Sequence, residues 1–153
     1  MKTSIELDGE LDGMQDPRSL SIVQEHHDEL FTFQEFARLD EALTMSSRET
    51  GLRFTLYIGD LGKPTRVQAE AMHNHSGGDP AESVLIALSP GQRVVEVVTG
   101  AAAARRLPDR ACALAVLSMT GSFAAGDLVG GIVNGLRQLS DQAGHPQALR
   151  HPY

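Results

Sequence analysis

The sequence predicts an α/β domain in which a small mixed β-sheet is sandwiched between helices, in the order helix-β-helix-β-β-helix-helix. Three observations carry that expectation. A capping box opens a helix at residue 32, two strand-like runs flank a helical stretch between residues 52 and 88, and Ser89-Pro90-Gly91-Gln92 turns the second run back on itself. With 153 residues, 41% hydrophobic and 22% charged, the chain is long enough for one buried core and ordinary in composition. The organisation expected is an acidic, poorly patterned arm over residues 1–30, an α/β domain over 31–142 and a polar tail over 143–153.

The arm shows no sustained period, and Gly9, Gly13 and Asp16-Pro17 punctuate it. Order begins at Thr32-Phe33-Gln34-Glu35, where the Thr32 hydroxyl can accept the Glu35 N–H while the Glu35 carboxylate reaches back, with Phe31 and Phe36 spaced as a hydrophobic staple. The helix runs over about 33–49, with Phe36, Leu39, Ala42 and Leu43 on one face and Gly51 as its stop. Residues 52–58 alternate in the manner of a strand, and Pro64 opens a second helix over about 64–75 that ends before Gly77-Gly78. A right-handed crossover then makes the next strand, 83–88, parallel to the first. Its nearly unbroken apolar run is that of a strand covered on both faces.

A type II turn at 89–92 returns residues 93–98 antiparallel. Pro108-Asp109 start a third helix to about Met119, and Asp127 is a natural N-cap for a fourth through about Gln142. Gly131 and Gly135, one turn apart in that helix, read as a face for close approach to the sheet or to another chain.

Charge excludes one class of partner. The formal net charge of −7 is concentrated in residues 1–30, which hold eight carboxylates against Lys2 and Arg18, so the body of the chain is nearly neutral and has no broad basic footprint for nucleic acid. Arg105, Arg106 and Arg110 form its one tight basic cluster, read either as a solvated helix start or as a surface for an acidic protein partner or a phosphate. Cys112, the lone cysteine, allows no internal disulfide and sits among small apolar residues as core filler. With no basic-then-apolar leader in the first 20 residues and no apolar run long enough to span a bilayer, the expected location is cytoplasmic. Oligomeric state is left open.

Other chemistry is weakly signalled. His73 and His75 are two apart and point to different helix faces, and His26-His27 is an adjacent pair, so neither makes an i, i+4 chelate. Gly59-Asp60-Leu61-Gly62-Lys63 lacks the phosphate-loop spacing and reads as a strand-to-helix turn. Ser83, Ser89 and Ser118 stand in no G-x-S-x-G elbow.

Taken as one block, Val84-Leu85-Ile86-Ala87, the return strand ending at Gly100, Leu107-Pro108-Asp109 and Phe123-Ala124-Ala125-Gly126-Asp127 with Gly130-Gly131 and Gly135 resemble the TPM domain family, over about residues 33–142. Thr50-Gly51-Leu52-Arg53-Phe54 and Leu107 to Cys112 are similar to an uncharacterised actinobacterial branch of it. That resemblance implies an α/β/α fold and directs attention to one sheet edge, where Thr50, Asp79, Glu82, Ser83, Thr99 and Gly100 gather as candidate ligand-binding residues. It also implies Asp79, Glu82 and Asp109 as a calcium or magnesium set for an acid phosphatase-like hydrolase. The chain departs from the family's glycine pattern here, reading Asp79-Pro80-Ala81-Glu82-Ser83 and Thr99-Gly100-Ala101-Ala102. The function expected is therefore a non-catalytic binding or accessory module without a cofactor, with the metal-dependent hydrolase as the alternative.

Overall fold

The computed structural model describes residues 22–24 and 31–146. Its elements are β1 (Ile22–Gln24), α1 (Phe33–Thr50), β2 (Arg53–Ile58), α2 (Thr65–Asn74), a 3-10 turn (Pro80–Glu82), β3 (Ser83–Ser89), β4 (Val94–Thr99), α3 (Ala101–Arg106), α4 (Asp109–Ala124) and α5 (Leu128–Ala143). The expected order is present, with β1 and α3 added. The strands lie in sequence order, β1, β2 and β3 parallel and β4 antiparallel, in a sheet with helices on both faces.

The local signals behave as their chemistry requires. The Glu35 N–H donates to Thr32 Oγ1 at 3.0 Å and the Thr32 N–H to Glu35 Oε1 at 2.9 Å, while Phe31 and Phe36 meet edge-on at 6.3 Å between ring centroids. At the other end of α1, Gly51 takes the left-handed conformation at φ 80, where a Cβ is disfavoured, and its N–H closes on the Ser47 carbonyl. The Asp127 carboxylate accepts the Gly130 N–H at 2.9 Å, the N-cap expected of α5.

The hairpin differs from expectation. Ser89 pairs with Val94, leaving a four-residue loop, and the Arg93 N–H donates to the Pro90 carbonyl. Gly91 is not in the left-handed region that a type II turn requires, and Arg93 takes it instead at φ 58. Loops of this length are built around a type I turn, and the register selects it over the Pro-Gly preference. Gln92 then locks the loop: its Oε1 accepts from Ser89 Oγ at 2.6 Å and from the Leu61 N–H at 2.8 Å, and its Nε2 donates to the Gly62 carbonyl at 2.9 Å.

Phe54, Leu56, Ile58, Val84, Ile86 and Leu88 send their side chains into a core shared with Leu39, Leu43, Met119, Ile132 and Leu136 of α1, α4 and α5. The opposite face carries Tyr57, Leu85, Ala87 and Val98 with Leu61 and with Ala69 of α2. The alternation read in residues 52–58 is therefore not that of a half-exposed strand, since Thr55 and Tyr57 are buried as well. Both parallel crossovers step across the sheet in the same direction, yet α1 and α2 lie on opposite faces. They consequently have opposite hands, and one departs from the right-handed form that ~98% of such units take.

β4 has an outer edge, and α2 guards it. Arg66 donates to the Val97 carbonyl at 2.8 Å, pairs with Glu96 at 3.3 Å and with Glu70 at 3.0 Å, and the Thr65 hydroxyl donates to Glu96 at 2.8 Å. A charged side chain bonded to an outward carbonyl hinders a further strand from pairing there.

Gly131 and Gly135 face α4 rather than the sheet. A Cβ on Gly131 would lie 2.8 Å from Phe123 Cε1 and from Ser122 Cβ, and one on Gly135 would lie 2.7 Å from Met119 Sδ. The close approach read from the sequence is real, but it joins two helices of one layer. No helix among the described residues is long and apolar enough to cross a membrane.

Candidate functional site

The turn after α1, the 3-10 turn before β3 and the start of α3 converge at one end of the sheet. Parallel pairing sets Arg53 opposite Ser83, antiparallel pairing sets Val84 opposite Thr99, and the Gly100 N–H donates to the Ser83 carbonyl at 3.0 Å. Between them lies a cleft of about 520 Å³ lined by Thr50, Gly51, Glu82, Ala102, Arg105, Arg106 and Pro146. Two of the expected ligand-binding residues thus meet two of the expected interaction residues. Asp79, Ser83, Thr99, Gly100, Asp109 and Arg110 do not line it.

Local chemistry explains why so few of the candidates are available. Thr50 is buried, its hydroxyl donating to the Ser46 carbonyl at 2.7 Å and accepting the Leu52 N–H at 3.1 Å, which fastens α1 to β2. Ser83 is buried too, its hydroxyl donating to the Asp79 carbonyl at 2.8 Å. The Asp79 carboxylate accepts the Ala81 N–H at 3.0 Å and so caps the 3-10 turn. Gly100 has no room for a ligand or even for a Cβ, which would collide with the Pro80 carbonyl oxygen and lie 2.6 Å from Ala81 Cα. The backbone approach that the glycine permits is to the protein itself.

The arginine cluster is divided. Arg106 turns inward and donates to the carbonyls of Ala143, Gly144 and His145 at 3.2, 2.8 and 3.0 Å, anchoring the end of α5. Arg105 is exposed at the cleft, where its guanidinium makes no hydrogen bond or ion pair among the described residues. Arg110 is exposed on α4, away from the cleft lining. Glu82 is exposed and lines the same cleft.

His73, read from the sequence as structural, is buried, and its Nε2–H donates to the Ser83 carbonyl at 3.1 Å; the exposed His75 donates to the Ala71 carbonyl. Asp60 shows the turn chemistry expected of it, accepting the Gly62 N–H at 3.0 Å. Cys112 lies half-buried with its thiol directed at the Leu107 carbonyl; burial raises its pKa above the usual thiol value, Asp109 adds to the rise and Arg66 opposes it. Such a thiol is a poor nucleophile. Among the described residues no group of three or more His, Cys, Asp or Glu is placed to hold a metal ion, Asp79, Glu82 and Asp109 included.

The sequence reading missed Ala102 and Pro146. Four successive alanines, the strongest helix formers, are the signal from which α3 and hence Ala102 were legible. Nothing local announces Pro146, whose ring packs over Gly51.

Solved structures share this architecture at low identity. The chain is similar to the BA42 protein from the psychrophilic bacterium Bizionia argentinensis (TM-score 0.67, 14% identity, 77% of this chain and 84% of that one). It is also similar to the N-terminal domain of a protein from P. gingivalis (TM-score 0.70, 15% identity, 98% and 94%) and to the N-terminal domain of cg2496 from Corynebacterium glutamicum (TM-score 0.63, 10% identity, 88% and 90%). These likenesses concern the fold. In sequence it is 36% identical over 132 residues to the uncharacterized proteins MT2543 and Rv2468c of two Mycobacterium tuberculosis strains, across 86% of this chain and 75% of theirs. The assignment to the TPM family is corrected by these comparisons: none of these proteins is named for that domain, and the family profile that matches is another. The acid phosphatase-like activity and the calcium or magnesium set that came with the resemblance lose that support. The match covers residues 17–140, most of the sheet and helices described above, and the chain accordingly belongs to the family described as domain of unknown function DUF5130.

Proposed function

We propose that the chain is a non-catalytic binding module whose cleft receives an acidic segment of a protein partner. One observation carries this reading: the polar side chains buried around the cleft are spent on the fold, while Arg105 stays exposed with no partner among the described residues. The Thr50 and Ser83 hydroxyls both donate to backbone carbonyls, and the nearby His73 imidazole is bonded to the Ser83 carbonyl, not to its hydroxyl. Arg105, on a short helix and sharing the cleft lining with Ala102, Gly51 and Pro146, offers charge-assisted hydrogen bonds to a carboxylate.

A blocked triglutamate peptide, titrated while the backbone amides are followed by NMR, tests the reading. Saturable shifts at Thr50, Gly51, Ala102 and Arg105, lost in Arg105→Ala, are expected. A response to inorganic phosphate but not to the peptide overturns the protein-partner assignment. A saturable Ca²⁺ response at Asp79, Glu82 and Asp109 overturns the module reading in favour of a metal site.

A further inference from the structure

We infer that a second binding site, for an aliphatic carboxylate, lies at the opposite end of β3, in the cavity between the β3–β4 hairpin and the α4–α5 junction. It goes beyond the proposed function and shares no residue with the cleft, so either site can fail without the other.

The cavity measures about 470 Å³, within the roughly 300–1,000 Å³ typical of small-molecule sites. Leu88, Val94, Phe123 and Leu128 are among its lining residues, and the Thr120 hydroxyl donates to the Leu117 carbonyl of its own helix at 2.9 Å. Among the described residues the one ionisable side chain in the lining is Arg93. An apolar chamber with a single cation is complementary to a molecule that has an apolar body and one anionic head.

Two features leave Arg93 available and fixed in place. Its guanidinium has no hydrogen bond or ion pair among the described residues. Its backbone sits at φ 58, a conformation that glycine or asparagine adopts more easily, and it is the one non-glycine residue described with positive φ. Unfavourable backbone of this kind persists where the surroundings hold it in place. Here Gln92 does so through its bonds to Ser89, Leu61 and Gly62, which fix the hairpin loop before any ligand arrives.

The test uses decanoate as probe and the full chain, with binding measured by calorimetry and amide NMR, and decanol and decyltrimethylammonium as neutral and cationic controls. Decanoate is expected to give saturable shifts at Val94, Thr120, Phe123 and Leu128, with decanol at least about tenfold weaker and the cation inactive. Arg93→Gln should weaken decanoate by about tenfold or more without affecting decanol, and Arg93→Lys should restore part of the loss. Arg93→Gly should also lose decanoate while its Tm stays level or rises, since glycine relaxes the left-handed backbone. That opposition of signs separates recognition from folding. Equal affinity for decanol and decanoate, an unchanged Kd in Arg93→Gln, absence of saturable shifts, or preference for a leucine-terminated peptide over decanoate would each overturn the assignment.

Discussion

The two faces of the sheet are built differently. On one, α1, α4 and α5 press twenty buried apolar residues, among those described, into a continuous core that runs from Phe31 to Leu139. On the other, the cluster around α2 holds six, and polar groups stand among them: Thr55 in β2, His73 in α2, and the Thr65–Arg66–Glu96 network over β4. The first face is held mainly by packing, with Ser140 Oγ donating to Ser46 Oγ at 2.8 Å between α5 and α1. The second relies more on hydrogen bonds. The contrast teaches that one strand can supply dense core with its even residues and polar attachment with its odd ones, because successive side chains point to opposite faces.

Neighbouring residues of β3 give the sharpest test of this contrast. Ile86 and Leu85 are both buried, on the first and second face respectively. Truncation to alanine is expected to cost about 4 kcal/mol for Ile86, inside a layer of three helices that cannot collapse, and about 2 kcal/mol for Leu85, under a single short helix that can follow. Chemical denaturation of the two variants decides it, and equal costs would erase the distinction.

Gly131→Leu tests how tightly the first face is filled. Leucine improves helix propensity, yet its side chain must displace Phe123 and Ser122, so a net loss of about 1–3 kcal/mol is expected. A higher Tm at unchanged hydrodynamic size would show that the α4–α5 contact has slack.

The smallest effect has the opposite sign. Thr55 Oγ1 is buried on the second face with no hydrogen-bond partner among the described residues. Thr55→Val keeps the shape and removes the orphaned hydroxyl, for a gain of about 1 kcal/mol in urea unfolding. A loss instead would mean that the hydroxyl is satisfied in solution.

Signals confined to one turn of chain were legible. The Thr32 capping box, the Gly51 stop, the Asp127 cap and the apolar run from Val84 to Leu88 each announced an element that is present. Where a longer-range partner had a say, the local signal lost. Pro90-Gly91 favours a type II turn, but the Ser89–Val94 pairing left four residues to close and moved the left-handed position to Arg93. The three residues of β1 carry too short a pattern to identify alone, and pairing with Leu56, Tyr57 and Ile58 makes them a strand. The candidate site followed the same division: topology gathered its residues at one end of the sheet as expected, but which of them remained available was not legible.

By itself the sequence determined the fold class, the starts of the principal helices and the burial of β3, because caps, turn residues and hydrophobic period act over three or four residues and need no distant neighbour, whereas α4 runs on to Ala124, past the stop expected near Met119. Only the tertiary structure decided that Thr50, Ser83, Gly100 and Arg106 serve the fold while Arg105 and Arg93 stay unpartnered among the described residues. The physical reason is that a polar group's availability depends on which carbonyls and amides packing brings beside it. For Arg106 those are at the end of α5, and for Gly100 at the start of β3, remote in the chain and set by the docking of whole elements.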